Sequence, residues 1–205
     1  MRDLVILGAG VHAIEMVEII ERINQAQPTW TLRGYLADER GRVGEMLNGY
    51  PVLAGIDDRE DFPEACFVPD NDHQQVPVSI DRLATIIDPS TFVSRTARIG
   101  AGCVIYPGGF IGVNAAIGNR VLCLSRCVIN HDDVLEDHVI LASGVTLAGA
   151  VHVETGCYLG QACTVRQQLR IGHHSTIGMG AVVVKEVLPE SVMVGNPARN
   201  IRENR

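Results

Sequence analysis

One run in the chain sets an imidazole among carboxylates, Asn130-His131-Asp132-Asp133. Imidazole titrates near neutral pH, so His131 can accept the proton of an amine or hydroxyl as it attacks an electrophile. A carboxylate on the other ring nitrogen would fix the tautomer and stabilise the imidazolium, and Asp132 is placed to supply it. Adjacent residues of a strand face opposite ways, so this pairing requires the backbone to turn a corner here. The plainer alternative is a solvated histidine on a polar turn. A second constellation opens the chain, where Gly8-Ala9-Gly10-Val11-His12-Ala13 follows the apolar run Leu4 to Leu7 and precedes a helix-period segment from about Ile14 to Ile23. A strand, a glycine turn and a helix let backbone N–H groups face a phosphate, and a second strand near Leu32 to Leu36 leads to Asp38, where an acid can bind a ribose or base. A G-x-G-x-x-A turn standing alone is equally compatible with a structural tight turn.

The elements that must position His131 follow from a repeat. From Ile87 to Val183 every sixth residue is Ile, Leu or Val, with Cys123 the one exception. A hexapeptide period over roughly a hundred residues predicts a β-solenoid, in which each short strand sends one aliphatic inward and successive coils stack. Four residues after each aliphatic comes a smaller inward position, which holds Cys103, Gly109, Ala115, Cys127, Cys157, Cys163 and Ala181. Four of the six cysteines are thereby read as small buried hydrophobes without chemistry. Glycines that follow the aliphatic, such as Gly100, Gly112, Gly118, Gly160, Gly172 and Gly178, are expected to serve turns that need unusual backbone angles. Asp133 falls in the small inward phase. Its carboxylate must there either accept backbone amides or join His131 through a bulge, since an unpartnered buried charge is costly. With three hexapeptides per coil, residues eighteen apart are stacked neighbours about 4.8 Å apart, which sets Gly149 beside His131.

The hexad phase begins at Ile87, so two domains are expected, 1–86 and 87–205. The front domain has a third strand near Cys66 to Pro69, followed by the polar stretch Asp70 to Gln75; it is too short for a full dinucleotide fold and suits a mononucleotide or nucleotide-sugar better. A net charge of -7, with Lys and Arg scattered singly, argues against nucleic acid as a partner. No apolar stretch is long enough to span a bilayer and no leader-like segment opens the sequence, so a cytoplasmic protein that does not engage membranes is expected. The absence of any C-x-x-C pair speaks against a disulfide framework or zinc knuckle. His73, His152, His173 and His174 share no eighteen-residue register with His131, so no metal is expected.

The run Asn130 to Asp133, with Leu141-Ala142-Ser143-Gly144-Val145, Val194-Gly195-Asn196-Pro197-Ala198, the opening Gly8 to His12 and the hexapeptide pattern, resembles the sialic acid O-acetyltransferase / nucleotide-aminosugar N-acetyltransferase family of left-handed β-helix acyltransferases. The resemblance covers essentially the whole chain. It implies a small α/β Rossmann-like N-terminal domain followed by a left-handed parallel β-helix, acetyl-CoA as co-substrate without metal, and a homotrimer. It also implies that His131 is the general base, that Asp132 raises its basicity, and that the Gly149 N–H binds the thioester oxygen. The coenzyme would run past Gly160, Gln161, Gly178 and Met179, while Gly8, Gly10, His12 and Asp38 would bind the acceptor. That acceptor is expected to be a nucleotide-linked amino-sugar, with O-acetylation of a sialic-acid-like sugar as the alternative. From other classes stand a metal-dependent solenoid hydratase and a non-catalytic nucleotide-binding scaffold. Two residues depart from the family pattern: Ile140 stands where a second histidine is usual, and Asp133 where Cys or Val is usual.

Overall fold

The structure, a computed structural model, describes residues 1–201, so the last four residues of the expected second domain lie outside the described residues. It resolves into two compact units, Met1–Pro89 and Ser90 onward.

The first unit is a five-stranded sheet built from β1 (Arg2–Leu7), β2 (Trp30–Ala37), β3 (Met46–Leu47), β4 (Tyr50–Gly55) and β5 (Cys66–Pro69), in the order β3-β4-β2-β1-β5. β1 runs parallel to β2 and β5, β2 runs parallel to β4, and β3 closes the edge antiparallel to β4. The helix α1 (Val11–Ala26) crosses from β1 to β2 and buries Ala13, Met16, Val17, Ile19 and Ile20, a stripe at helical spacing. A further apolar cluster gathers Val5, Leu7, Leu36, Ile56, Ala65 and Phe67. After β2 and β4 the chain makes only the 3-10 turns Arg40–Arg42 and Ile56–Asp61. The unit is therefore one βαβ crossover in a mostly parallel sheet, and among the described residues α1 is its single α-helix.

The second unit is a β-solenoid of the left-handed β-helix kind, with three faces of two-residue parallel strands. One face carries Phe92–Val93, Phe110–Ile111, Val128–Ile129, Thr146–Leu147, Thr164–Val165 and Val182–Val183. The next carries Arg98–Ile99, Ala116–Ile117, Val134–Leu135, His152–Val153 and Arg170–Ile171, and the third continues through Val104–Ile105, Leu122–Cys123, Ile140–Leu141, Tyr158–Leu159 and Thr176–Ile177. Strands pair with those eighteen residues on, as in Val128↔Thr146 and Val134↔His152, until the last coil, where Thr176 pairs with Val192. The hexad aliphatics from Ile105 to Val183 are buried, as are all six cysteines. Val93, in the first coil, is exposed despite its inward phase. A terminal coil has a stacked neighbour on one side only, so its inward positions are covered less.

The glycines that follow the aliphatics do not supply the unusual backbone angles expected of them. Left-handed φ recurs every six residues from Gly102 to Gly180, three positions after each aliphatic, at Asn114, Arg120, Arg126, Asp132, His138 and Ala150 among others. The glycines answer a different need, the close approach of the next coil. A Cβ on Gly112 would stand 2.8 Å from the Asn130 carbonyl carbon and the His131 nitrogen, closer than backbone can come. One edge of the prism is stitched by side chains that cap the adjacent coil: Asp137 Oδ1 accepts the Asn119 N–H (2.7 Å), Glu136 Oε2 that of Thr155 (3.0 Å), and Glu154 Oε2 that of His173 (2.7 Å).

Candidate active site

His131 sits on the edge between the first and second solenoid faces, after strand Val128–Ile129 and before Val134–Leu135. The corner demanded by the His131–Asp132 pairing is present, because Asp132 is one of the left-handed residues (φ 60°). Its backbone folds back, and its Oδ2 lies 2.9 Å from His131 Nδ1. Asn114, eighteen residues earlier, donates from Nδ2 to the other carboxylate oxygen at 3.1 Å. The bonds from His131 first and Asn114 second hold the Asp132 carboxyl below its ordinary value, so it stays ionised beside the ring. The imidazole is 65% exposed and its Nε2 end is turned toward Gly149. A Cβ at 149 would stand 2.5 Å from His131 Cε1 and nearer still to Nε2. Gly149 thus provides the space the ring occupies, and the stacked turns are tied by the Ala150 N–H to His131 carbonyl bond (2.9 Å). Among the described residues the Gly149 N–H donates to no protein acceptor. One ring nitrogen is thus fixed by a carboxylate and the other lies over Gly149 on the next coil.

Asp133 resolves in favour of backbone amides. It is 0% exposed, and its two oxygens accept the Asn130 N–H (2.7 Å) and the Val151 N–H (2.8 Å). Burial pushes its carboxyl up to about 7, against the opposing pull of these two bonds and of His131. Asn130 also donates from Nδ2 to the Leu147 carbonyl (2.7 Å), which fastens the turn to the next coil.

The late-coil residues stand elsewhere. Gly160 and Gln161 follow strand Tyr158–Leu159, and Gly178 and Met179 follow Thr176–Ile177, which puts all four on the edge between the third and first faces. Gln161 and Met179 are exposed there, while Gly160 abuts the Met179 backbone. One protomer therefore brings His131, Asp132 and Gly149 together but does not bring these four to them. Ile140 is half-buried on the third face, paired with Leu122 and Tyr158.

In the first unit, Gly8, Gly10 and Asp38 gather at the carboxyl ends of β1 and β2. A cleft of about 200 Å³ is lined by Ala9, Gly10, Ala37, Asp38, Glu39, Arg42, Asp70, Asp72 and His73. Gly8 has φ 111°, and a side chain there would collide with the Asp70 carboxylate, itself 2% exposed. His73 bridges the cleft, with Nδ1 2.5 Å from Asp70 Oδ1 and Nε2 2.9 Å from Asp38 Oδ2. Asp70 above all, with Asp38, pushes the imidazole up to about 9, so it is charged at neutral pH. Arg42 donates to the Ala9 carbonyl (3.0 Å) and pairs with Glu45. His12 is half-buried in the first turn of α1, 3.5 Å from Glu15, and does not line the cleft. Among the described residues no group of three His, Cys, Asp or Glu is arranged to hold a metal.

No protein-family model matches the chain. Its structure superposes on the acetyltransferase domain of PglB from Neisseria gonorrhoeae with a TM-score of 0.87, at 23% identity, covering 98% of this chain and 100% of that one. The fold is that of the hexapeptide-repeat acetyltransferases. The PglB domain has also been solved with acetyl coenzyme A. GDP-perosamine N-acetyltransferase from Caulobacter crescentus, solved with CoA and GDP-perosamine, shares this acetyltransferase fold at TM-score 0.80 and 23% identity, over 97% and 96% of the two chains. By sequence, the acyl-[acyl-carrier-protein]–UDP-N-acetylglucosamine O-acyltransferase of Pseudomonas paraeruginosa is 40% identical over 82 residues. That match takes in 40% of this chain, which spans about a third (32%) of that curated relative's length.

Sequence reasoning missed Asn114, Asp70 and His73 as parts of these constellations. Asn114 was findable, since the eighteen-residue step back from Asp132 lands on it. The Asp38–His73–Asp70 bridge joins residues 35 and 3 apart, intervals that carry no periodic signal.

Proposed function

We propose that this protein is an acetyltransferase that moves the acetyl group of acetyl-CoA onto the amine of a nucleotide-linked amino-sugar. The observation that carries the reading is the arrangement at one solenoid edge: His131 with Nδ1 fixed by Asp132 and Nε2 open at Gly149. In this reading His131 Nε2 takes a proton from the acceptor amine as its nitrogen bonds to the thioester carbon, and the Gly149 N–H faces the oxygen that gains charge. The C–S bond then breaks, and the imidazolium returns its proton to the departing thiolate. The neighbours solved with acetyl coenzyme A and with CoA support the choice of co-substrate.

For the acceptor, the support is the βαβ unit with its cleft at the ends of β1 and β2, which we read as a Rossmann-like nucleotide-binding module with Gly10 and Asp38 in its lining and Gly8 at its turn, while His12 stands outside that lining. A fold neighbour solved with a nucleotide amino-sugar points the same way. We further read the active form as a homotrimer. The late-coil residues Gly160, Gln161, Gly178 and Met179 lie on a different edge from His131, so a site that uses both sets needs two copies. The exposed Phe92–Phe110 stack on the first face (centroids 5.1 Å apart) offers apolar area for such a contact. A cytoplasmic location accords with six buried, unbridged cysteines.

The deciding experiment offers UDP-, GDP- and dTDP-linked amino-sugars, and free sialic-acid-like sugars, with acetyl-CoA, and identifies the acetylated product by mass spectrometry. N-acetylated nucleotide-sugar is expected. Product from the free sugar acid alone, O-acetylated, would replace the acceptor assignment. No acetylated product from any member, with a protein that binds the nucleotide, would favour a scaffold.

A further inference from the structure

Read every six residues from Cys103 to Val187, the small inward series contains one charged residue, Asp133, and it stands two positions from His131. Its two oxygens are spent on the amides of Asn130 and Val151, which belong to the two turns that carry His131 and Gly149. We propose that Asp133 is a positioning residue for the base: its buried carboxylate clamps the Asn130–Asp132 turn to the Gly149–Val151 turn and sets a second negative charge behind the His131 imidazole. The role assigned to His131 here rests on the function proposed above.

Three observations support the clamp. The carboxylate bonds across the gap between consecutive coils at the height of the base, so the turn that carries His131 is tied to the turn that carries Gly149. Each oxygen accepts one backbone N–H, and both bonds favour the ionised form of the carboxyl. The charged groups that act on Asp133 are His131, which favours its ionised form, and Asp132, which opposes it; the inward residues stacked on either side, Ala115 and Val151, do not titrate. Burial drives the carboxyl up to about 7, which brings its protonation into the range where an imidazole also titrates. A proton on either group disfavours a proton on the other, so the two are expected to titrate as a coupled pair.

The test is a pH titration of the His131 imidazole by NMR in the full-length protein and in Asp133→Cys and Asp133→Asn. Cysteine suits the coil, since Cys127, Cys157 and Cys163 fill the equivalent inward position. Loss of the buried charge is expected to move the His131 midpoint downward in both variants. The acid limb of the acetyl-transfer pH profile should move with it, and exchange of the Asn130 and Val151 amides should quicken about tenfold or more in Asp133→Cys. An unchanged His131 midpoint in both variants, with only the unfolding temperature altered, would reduce Asp133 to a fold staple and overturn the proposal. The wild-type protein supplies a second measurement that needs no variant to fold: an Asp133 carboxyl carbon signal that stays flat while His131 titrates would also overturn it. Absence of acetyl transfer with every acceptor would count against the enzyme reading and leave the coupling result to stand or fall by itself.

Discussion

At the scale of single residues, the exposed imidazole of His131 contributes little to packing, so its removal tests chemistry cleanly. His131→Ala is expected to lower kcat by about 10²- to 10⁴-fold, with a thermal unfolding midpoint close to wild type. Gly149→Ala is the more discriminating change. No positive φ forbids a side chain there, yet the new methyl would occupy the space of the ring. The fold should survive while the imidazole is pushed off its Asp132 contact, and an NMR or crystallographic comparison should find the ring displaced and turnover reduced by about tenfold or more. Asp132 carries two duties, a left-handed corner and a carboxylate. Asp132→Asn keeps the corner, because asparagine tolerates that conformation, but loses the charge that stabilises the imidazolium; Asp132→Val loses both. The expected outcome is reduced turnover in both variants, with a fall in unfolding temperature confined to the valine.

At the scale of elements, the coil phase was legible in the sequence because the hexad positions that fill a three-sided prism are apolar, and the six-residue series from Ile105 to Val183 obeys that rule. The corners were not legible in the same way. Asn114, Arg120, Asp132, His138 and Ala150 share a backbone conformation and no side-chain chemistry, so composition gives them no common mark. The glycines next to the aliphatics suggested turns and proved to be clearances for the neighbouring coil, a requirement of stacking that only three dimensions express. In the front unit, β1, α1 and β2 were readable from apolar period, whereas the bridge Asp38–His73–Asp70 depends on how the ends of β2 and β5 meet across β1. This bridge makes a prediction about pH. The folded value of His73, raised from 6.5 to about 9, means that its contribution to stability is complete below about pH 6.5 and is lost as pH rises through 9. Calorimetry should find the wild type losing stability across that interval, with an unfolding temperature lower by about 5 °C at the upper end. His73→Gln should flatten the dependence.

At the scale of the whole molecule, two solenoid edges carry the two halves of the proposed chemistry, and copies must meet for both to act. Sedimentation should return about three times the chain mass of 22.2 kDa. Phe110→Glu, which plants a charge in the exposed stack with Phe92, should dissociate the assembly and abolish turnover while His131 and Asp132 remain paired within each chain. The interior has a practical corollary. Every cysteine is sealed inside the protein, and burial pushes Cys127 and Cys163 up to about 12 and Cys157 up to about 11. Sulfhydryls so shielded and so weakly acidic are poor nucleophiles toward disulfide dyes or alkylating agents. In the native protein such a reagent would therefore colour only with the coenzyme set free at each turnover, and the same reagent would begin to count cysteines at the moment the coils come apart.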